Sequence, residues 1–167
     1  KINLSNLHYF LNVHNFYTYK LEHKHIDVAT DDQIIFIRIE GNIVYKVTPR
    51  EIRRFCLSYV KEKGQTLEVA NLMLSTPYFN ENHLQGLEDI KLNFKNHDAN
   101  SQYFFFKNQI AKVTADGIKF EKHGNFENFA WNKQIVEHTI FPEASFFQHK
   151  KDELGNDRID LLRADCE

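Results

Sequence analysis

The sequence predicts an α+β fold in which helices and a β-hairpin are followed by an antiparallel β-meander. Three observations carry that expectation. An N-cap signature at residues 48–51 precedes apolar residues at helical spacing, and two β-branched runs flank Gly41-Asn42. Residues 103–122 then break into short alternating runs separated by turn residues. A doubly wound sheet would instead alternate strands with crossover helices along the whole chain.

Each element has a local reason. In residues 4–16, Leu4, Leu7, His8, Phe10 and Leu11 lie near helical spacing, which predicts a first helix. Residues 34–39 read as a strand, Gly41-Asn42 as a short turn, and residues 43–47 as the returning strand. Thr48 suits an N-cap, Pro49 the first helical position, and Glu51 the reciprocal position of a capping box. Behind them Ile52, Phe55, Cys56, Tyr59 and Val60 recur at the spacing of one buried helical face, and Gly64 ends the helix. A second helix is expected over 67–74, and a third from near Asn80 toward Ile90. Residues 103–107, 109–114 and 118–122 read as strands. Lys107-Asn108 and Ala115-Asp116-Gly117 separate them, Gly117 accepting a positive φ. A further strand is expected over 131–136.

Bulk composition limits the function classes. Hydrophobic residues make up 42% of the 167, with 15 Phe and 7 Tyr, so one sizeable core is within reach. We read residues 1–145 as a single α+β domain, any sub-division falling near residue 98. Residues 146–167 read as a charged segment leading to a missing downstream domain. Lys1 in place of an initiator Met, and a tail without a closing element, suggest a fragment of a longer polypeptide. The net charge of -2 gives no global pull toward nucleic acid, so any polyanion-binding surface must be a local patch. Cys56 and Cys166 form no CxxC pair and no disulfide framework, and Cys56 reads as a core residue. No apolar run approaches the roughly 20 residues of a membrane span, and no signal peptide opens the chain. A cytoplasmic home without membrane contact is the expectation.

The chain lacks a phosphate-binding loop, paired Asp-x-Asp carboxylates, Gly-x-Ser-x-Gly and His-Glu-x-x-His. No catalytic residue, cofactor or metal is therefore assigned. His23, His25 and Asp27 would share one side of a strand and offer three ligands to a metal enzyme. A solvated polar stretch is the reading we prefer there. Arg50, Arg53, Arg54 and Lys61 beside the apolar stripe of the capped helix are the nucleic-acid-binding candidates, weighed against an ordinary solvated face. Lys107, Asn108, Lys112 and Lys119 form a weaker second set, whose alternation with apolar residues suggests core on one side and water on the other. The run Tyr103-Phe104-Phe105-Phe106 suits a base-stacking platform, but a strand buried on both faces is preferred. Trp131 with Phe126 and Phe129 is expected to extend that core.

The segments Tyr103-Phe-Phe-Phe-Lys-Asn108, Gln109-Ile-Ala-Lys-Val-Thr-Ala-Asp-Gly-Ile118 and Phe129-Ala-Trp-Asn-Lys-Gln-Ile135 resemble a region of phage and mobile-element (poxvirus-type) primase–helicases, just before the superfamily 3 helicase motor. Ile39-Glu-Gly-Asn-Ile-Val44 and Thr48-Pro-Arg-Glu-Ile-Arg-Arg-Phe55 are similar to the same family's hairpin and helix. The resemblance spans roughly residues 10–140, and its short motifs agree in order and spacing. It implies a cytoplasmic DNA-replication protein whose ATPase and primase chemistry lie elsewhere in the parent chain. The implied role is an accessory domain that contacts DNA or positions the motor. Its implied partners are DNA and the downstream helicase domain, with a homo-oligomer formed through the parent protein. The matched residues are mostly turn and core positions, so no binding role is transferred to them. An interaction or oligomerisation module that never meets nucleic acid is the alternative, favoured by the aromatic content and the charge balance.

Overall fold

Strand residues 33–40 organise the molecule because both of their faces are apolar. In the computed structural model, which describes residues 2–21, 33–141, 147–151 and 157–161, Ile35, Ile37 and Ile39 point to one side and Phe36 to the other, all buried. The elements run α1 (Leu4–Val13), β1 (Phe16–Leu21), β2 (Gln33–Glu40), β3 (Ile43–Val47), α2 (Pro49–Glu62), α3 (Leu67–Ser75) and α4 (Glu81–Leu84). They continue with β4 (Ser101–Phe105), β5 (Ile110–Thr114), β6 (Gly117–Glu121), β7 (Ala130–Trp131), a 3₁₀ turn at Asn132–Gln134, β8 (Phe147–Lys151) and β9 (Asp157–Leu161).

The strands form a sheet ordered β1-β2-β3-β7, a meander β4-β5-β6 and a separate hairpin β8-β9. This is the expected α+β class, with hairpin and meander in their expected places. On the first sheet, Phe36 joins Leu7, Leu11, Phe16, Ile52, Cys56, Leu84 and Leu87 beneath α1 and α2. The opposite face gathers Ile35, Ile37, Ile39 and Val44 with Tyr17, Tyr19, Phe94, Phe129 and Trp131. Burying one such side chain contributes about 1.5–3 kcal/mol. Burial pushes the Cys56 thiol up to about 12, as befits a small core residue.

Several boundaries differ from expectation. The first helix stops at Val13, because Asn15 takes a left-handed φ of 61°. Phe16, expected to end that helix, instead opens β1 and pairs with Arg38. The helix expected from near Asn80 toward Ile90, α4, is one turn long. Gly86 then lies against the His8 ring, and Leu87 to Ile90 run beside β1, with Thr18 N donating to Glu88 O and Ile90 N to Thr18 O. Of the strand expected over 131–136, only Trp131 joins a named strand, β7, which pairs in parallel with β3; a 3₁₀ turn follows, and Val136 bridges Phe106. The C-terminal segment, expected to lack a closing element, contains the β8-β9 hairpin.

The Gly41-Asn42 turn does more than reverse the chain. Gly41 has φ 60° at the first central position, as in a type II′ hairpin. Asn42 is 1% exposed, and its Nδ2 donates to Phe126 O (2.6 Å) and Asn128 O (2.9 Å). Its Oδ1 accepts from Gly124 N at 2.6 Å, and its backbone carbonyl accepts from Ala130 N at 3.0 Å. One amide thus fixes the loop that carries the chain from the meander back to the first sheet.

Candidate nucleic-acid interface

Helix α2 presents its cations away from the core. At about 100° per residue, Arg50, Arg54 and Lys61 fall together on the side opposite Ile52, Cys56 and Val60. All three are exposed, and they span about 16 Å along the axis. Arg53 departs from this stripe. It is half-buried, and its Nη2 donates to the carbonyl of Leu74 in the last turn of α3. The final carbonyls of a helix lack intrahelical partners and carry the negative end of its dipole, so a guanidinium there holds α3 against α2. The Arg53 Nε is buried without a hydrogen-bond partner. Of the four candidates, the structure therefore groups three and gives Arg53 to the scaffold.

The start of α2 is already occupied. Glu51 Oε2 accepts from Thr48 N and Thr48 Oγ1, each at 2.7 Å, while Glu51 N donates to Thr48 Oγ1 at 3.3 Å. The Thr48 hydrogen bonds hold the Glu51 carboxyl below its ordinary range, with a smaller contribution from the Arg54 charge. An anion at the first turn would meet that carboxylate, so the outward stripe is the accessible basic surface.

Aromatic packing fixes the pose of α2. Tyr59 lies 5.0 Å from Phe10 and 4.7 Å from His14, ring centre to ring centre, and Phe55 lies 4.8 Å from Phe16. The Arg38 guanidinium sits 4.6 Å over Phe55 and 5.3 Å from Phe16, and its Nη1 pairs with Glu40 at 3.0 Å.

The second candidate set is dispersed. Lys112 and Lys119 face each other across β5 and β6, beside Tyr103, with Lys112 Nζ 5.6 Å from that ring. Asn108 is committed to Ile140, donating to its carbonyl (2.8 Å) and accepting from its N–H (3.1 Å). Lys107 lines a groove of about 540 Å³ with Glu40, Tyr45, His123 and Glu137. Burial first, then the Glu40 charge, pushes the Tyr45 hydroxyl up. Asp98 is held at about 2 by the Tyr103 hydroxyl, then by Asn100 N–H and Ser101 Oγ.

The aromatic run is not buried on both faces. Tyr103 and Phe105 are buried, whereas Phe104 is 45% exposed, because successive strand residues face opposite sides and only one side is covered. Phe126 packs on Tyr103 at 4.8 Å, while Phe129 and Trp131 join the core of the first sheet. The expected single aromatic core is thus divided between two clusters. His23, His25 and Asp27 lie outside the described residues. Among the described residues, no three His, Cys, Asp or Glu side chains are placed to hold a metal ion, and no helix is long and apolar enough to cross a membrane.

No family model, curated protein or solved structure matches this chain.

Proposed function

We propose that this chain is a non-catalytic accessory domain of a cytoplasmic DNA-replication primase–helicase, contacting DNA or positioning the helicase motor. The supporting observation is the alignment of Arg50, Arg54 and Lys61 on the solvent face of α2, opposite its packed side and flanked by the exposed Glu51 and Glu62. Guanidinium and ammonium groups there would meet phosphate oxygens through charge-assisted hydrogen bonds. Three such contacts give a salt slope of roughly -2 to -3.

The test is fluorescence anisotropy of labelled DNA at stepped salt concentrations, with Arg50→Glu/Arg54→Glu as the variant. Arg53 is left intact because reversing it would also unseat α3. The double reversal should weaken binding at least tenfold and flatten the salt slope by about 2. Unchanged affinity would rule out the stripe as the DNA contact.

A specific observation supports the second reading, a protein-interaction module. Helix α3 has no buried residue, and Leu67, Leu72 and Leu74 are 76%, 43% and 50% exposed. Such a surface suits contact with another protein domain. Self-association abolished by Leu67→Glu, without salt-sensitive DNA binding, would establish that reading over the first.

A further inference from the structure

Strand β4 combines two features that the basic stripe of α2 lacks, an exposed aromatic ring and a cavity beside it. The register places Phe104, Ala111 and Phe120 in one row across β4, β5 and β6, on the face opposite Tyr103, Lys112 and Lys119. At about 4.8 Å between strands, the two aromatic positions stand about 10 Å apart with a small side chain between them. Phe104 is 45% exposed and Phe120 half-buried.

Phe104 also borders a cavity of about 390 Å³ whose walls include Phe94, Phe129, Gln102 and Gln134. Gln102 uses its Nε2 on the Asn96 carbonyl at 2.8 Å, leaving Oε1 as an acceptor. Gln134 uses its Oε1 on Trp131 N at 3.3 Å, leaving its amide N–H groups as donors. Aromatic walls with one acceptor and one donor match a nucleobase, which has flat faces and a mixed donor–acceptor edge. The row itself carries no charge: Lys112 and Lys119 lie on the other face of the meander and Lys107 lines the separate groove, so stacking and the amide edges carry the recognition.

The geometry points to a base-binding slot for single-stranded DNA: one base stacks on Phe104 and offers its edge to Gln102 and Gln134, and a neighbouring base lies on Phe120. Duplex DNA is a poor occupant, because its bases are already stacked and paired. The inference rests on the DNA-contacting function proposed above and adds to it the strand form and a second set of contacts.

Trp131 is the only tryptophan and stacks on Phe94 at 4.8 Å with a 5° interplanar angle, so its fluorescence reports on the cavity. The experiment titrates the whole chain with a single-stranded oligodeoxynucleotide, an abasic oligomer of equal length, the corresponding duplex, and a free deoxynucleoside monophosphate. Wild type, Phe104→Ala and Phe104→Tyr are compared, each checked for an unchanged melting temperature. The expected result is Trp131 quenching by the single strand alone, about 5- to 100-fold weaker binding for Phe104→Ala, and recovery in Phe104→Tyr. Equal affinity for abasic and natural strands, or no effect of Phe104→Ala, would overturn the slot while salt-dependent binding through α2 still stood. Quenching by the monophosphate as strong as by the oligonucleotide would reassign the cavity to a free nucleotide. Absence of any DNA binding at low salt would remove the proposed function and the slot together.

Discussion

Asn42 offers the sharpest test of how this fold is held. Its side chain makes three hydrogen bonds to backbone groups of residues 124–128 while 1% exposed, so its removal leaves a part-buried donor and two part-buried acceptors without that partner. Each such bond contributes about 1 kcal/mol net, and each buried group left unpaired costs about 1–3 kcal/mol. Asn42→Ala should therefore cost about 3–5 kcal/mol, a large share of the roughly 5–15 kcal/mol available to a domain. Asn42→Asp should be worse than Ala at neutral pH. It keeps the acceptor for Gly124 N but turns a carboxylate oxygen toward the carbonyls of Phe126 and Asn128, which needed a donor. Urea unfolding followed by Trp131 fluorescence and by circular dichroism gives both values, provided the transitions coincide. A loss under 1 kcal/mol for Ala, or Asp more stable than Ala at pH 7, would show that the amide is not the fastener described here.

Arg53→Ala should leave α2 folded but raise amide hydrogen exchange across residues 67–75, at a cost of about 1–2 kcal/mol to α3, and should reduce DNA affinity less than Arg54→Ala. Gly86→Ala would place a Cβ 2.5 Å from His8 Cε1, with that ring tied to the His83 carbonyl at 2.8 Å. A loss of about 1–3 kcal/mol is expected by thermal melting, and the penalty should shrink in a His8→Ala background. Asp98 is ionised more readily in the folded chain, so its contribution is present above its unfolded value of about 3.9 and lost as pH falls toward 2. The stability gap between wild type and Asp98→Asn should therefore close across that acid window and stay constant from pH 6 to 8.

What was legible in the sequence was local. Thr48 and Glu51 satisfy each other three residues apart, so their chemistry announces α2 without reference to the rest of the chain. The two β-branched runs announce the β2-β3 hairpin in the same way. Strand β1 was hidden because Phe16 directly follows the helical run of Leu4, Leu7 and Leu11, and nothing in that run reveals that Asn15 has turned left-handed. Asn42 looked like a turn residue, and its partners lie 82–86 positions away. Arg50, Arg53 and Arg54 are equivalent as charges on a helix. The helical period turns Arg53 toward the packed side, and the placement of α3 then gives it a partner while the other two stay exposed. For Phe104 the two-residue period was visible, but which face of the strand would be covered was not.

A single strand, β3, governs the positions of both proposed contact surfaces. It begins after Asn42, pairs Ile43 and Val44 with Ala130 and Trp131, and runs through Val47 to the Thr48 cap of α2. The basic stripe is therefore one cap away from the strand that also supports the wall of the base cavity. If both surfaces hold one DNA strand, they act as preorganised sites on one support, and losses at each should add in free energy because the residues share no partner. Combining Phe104→Ala with Arg50→Glu/Arg54→Glu should then multiply the two individual losses of affinity. A combined loss no greater than the larger single one would mean that the two surfaces never bind the same strand.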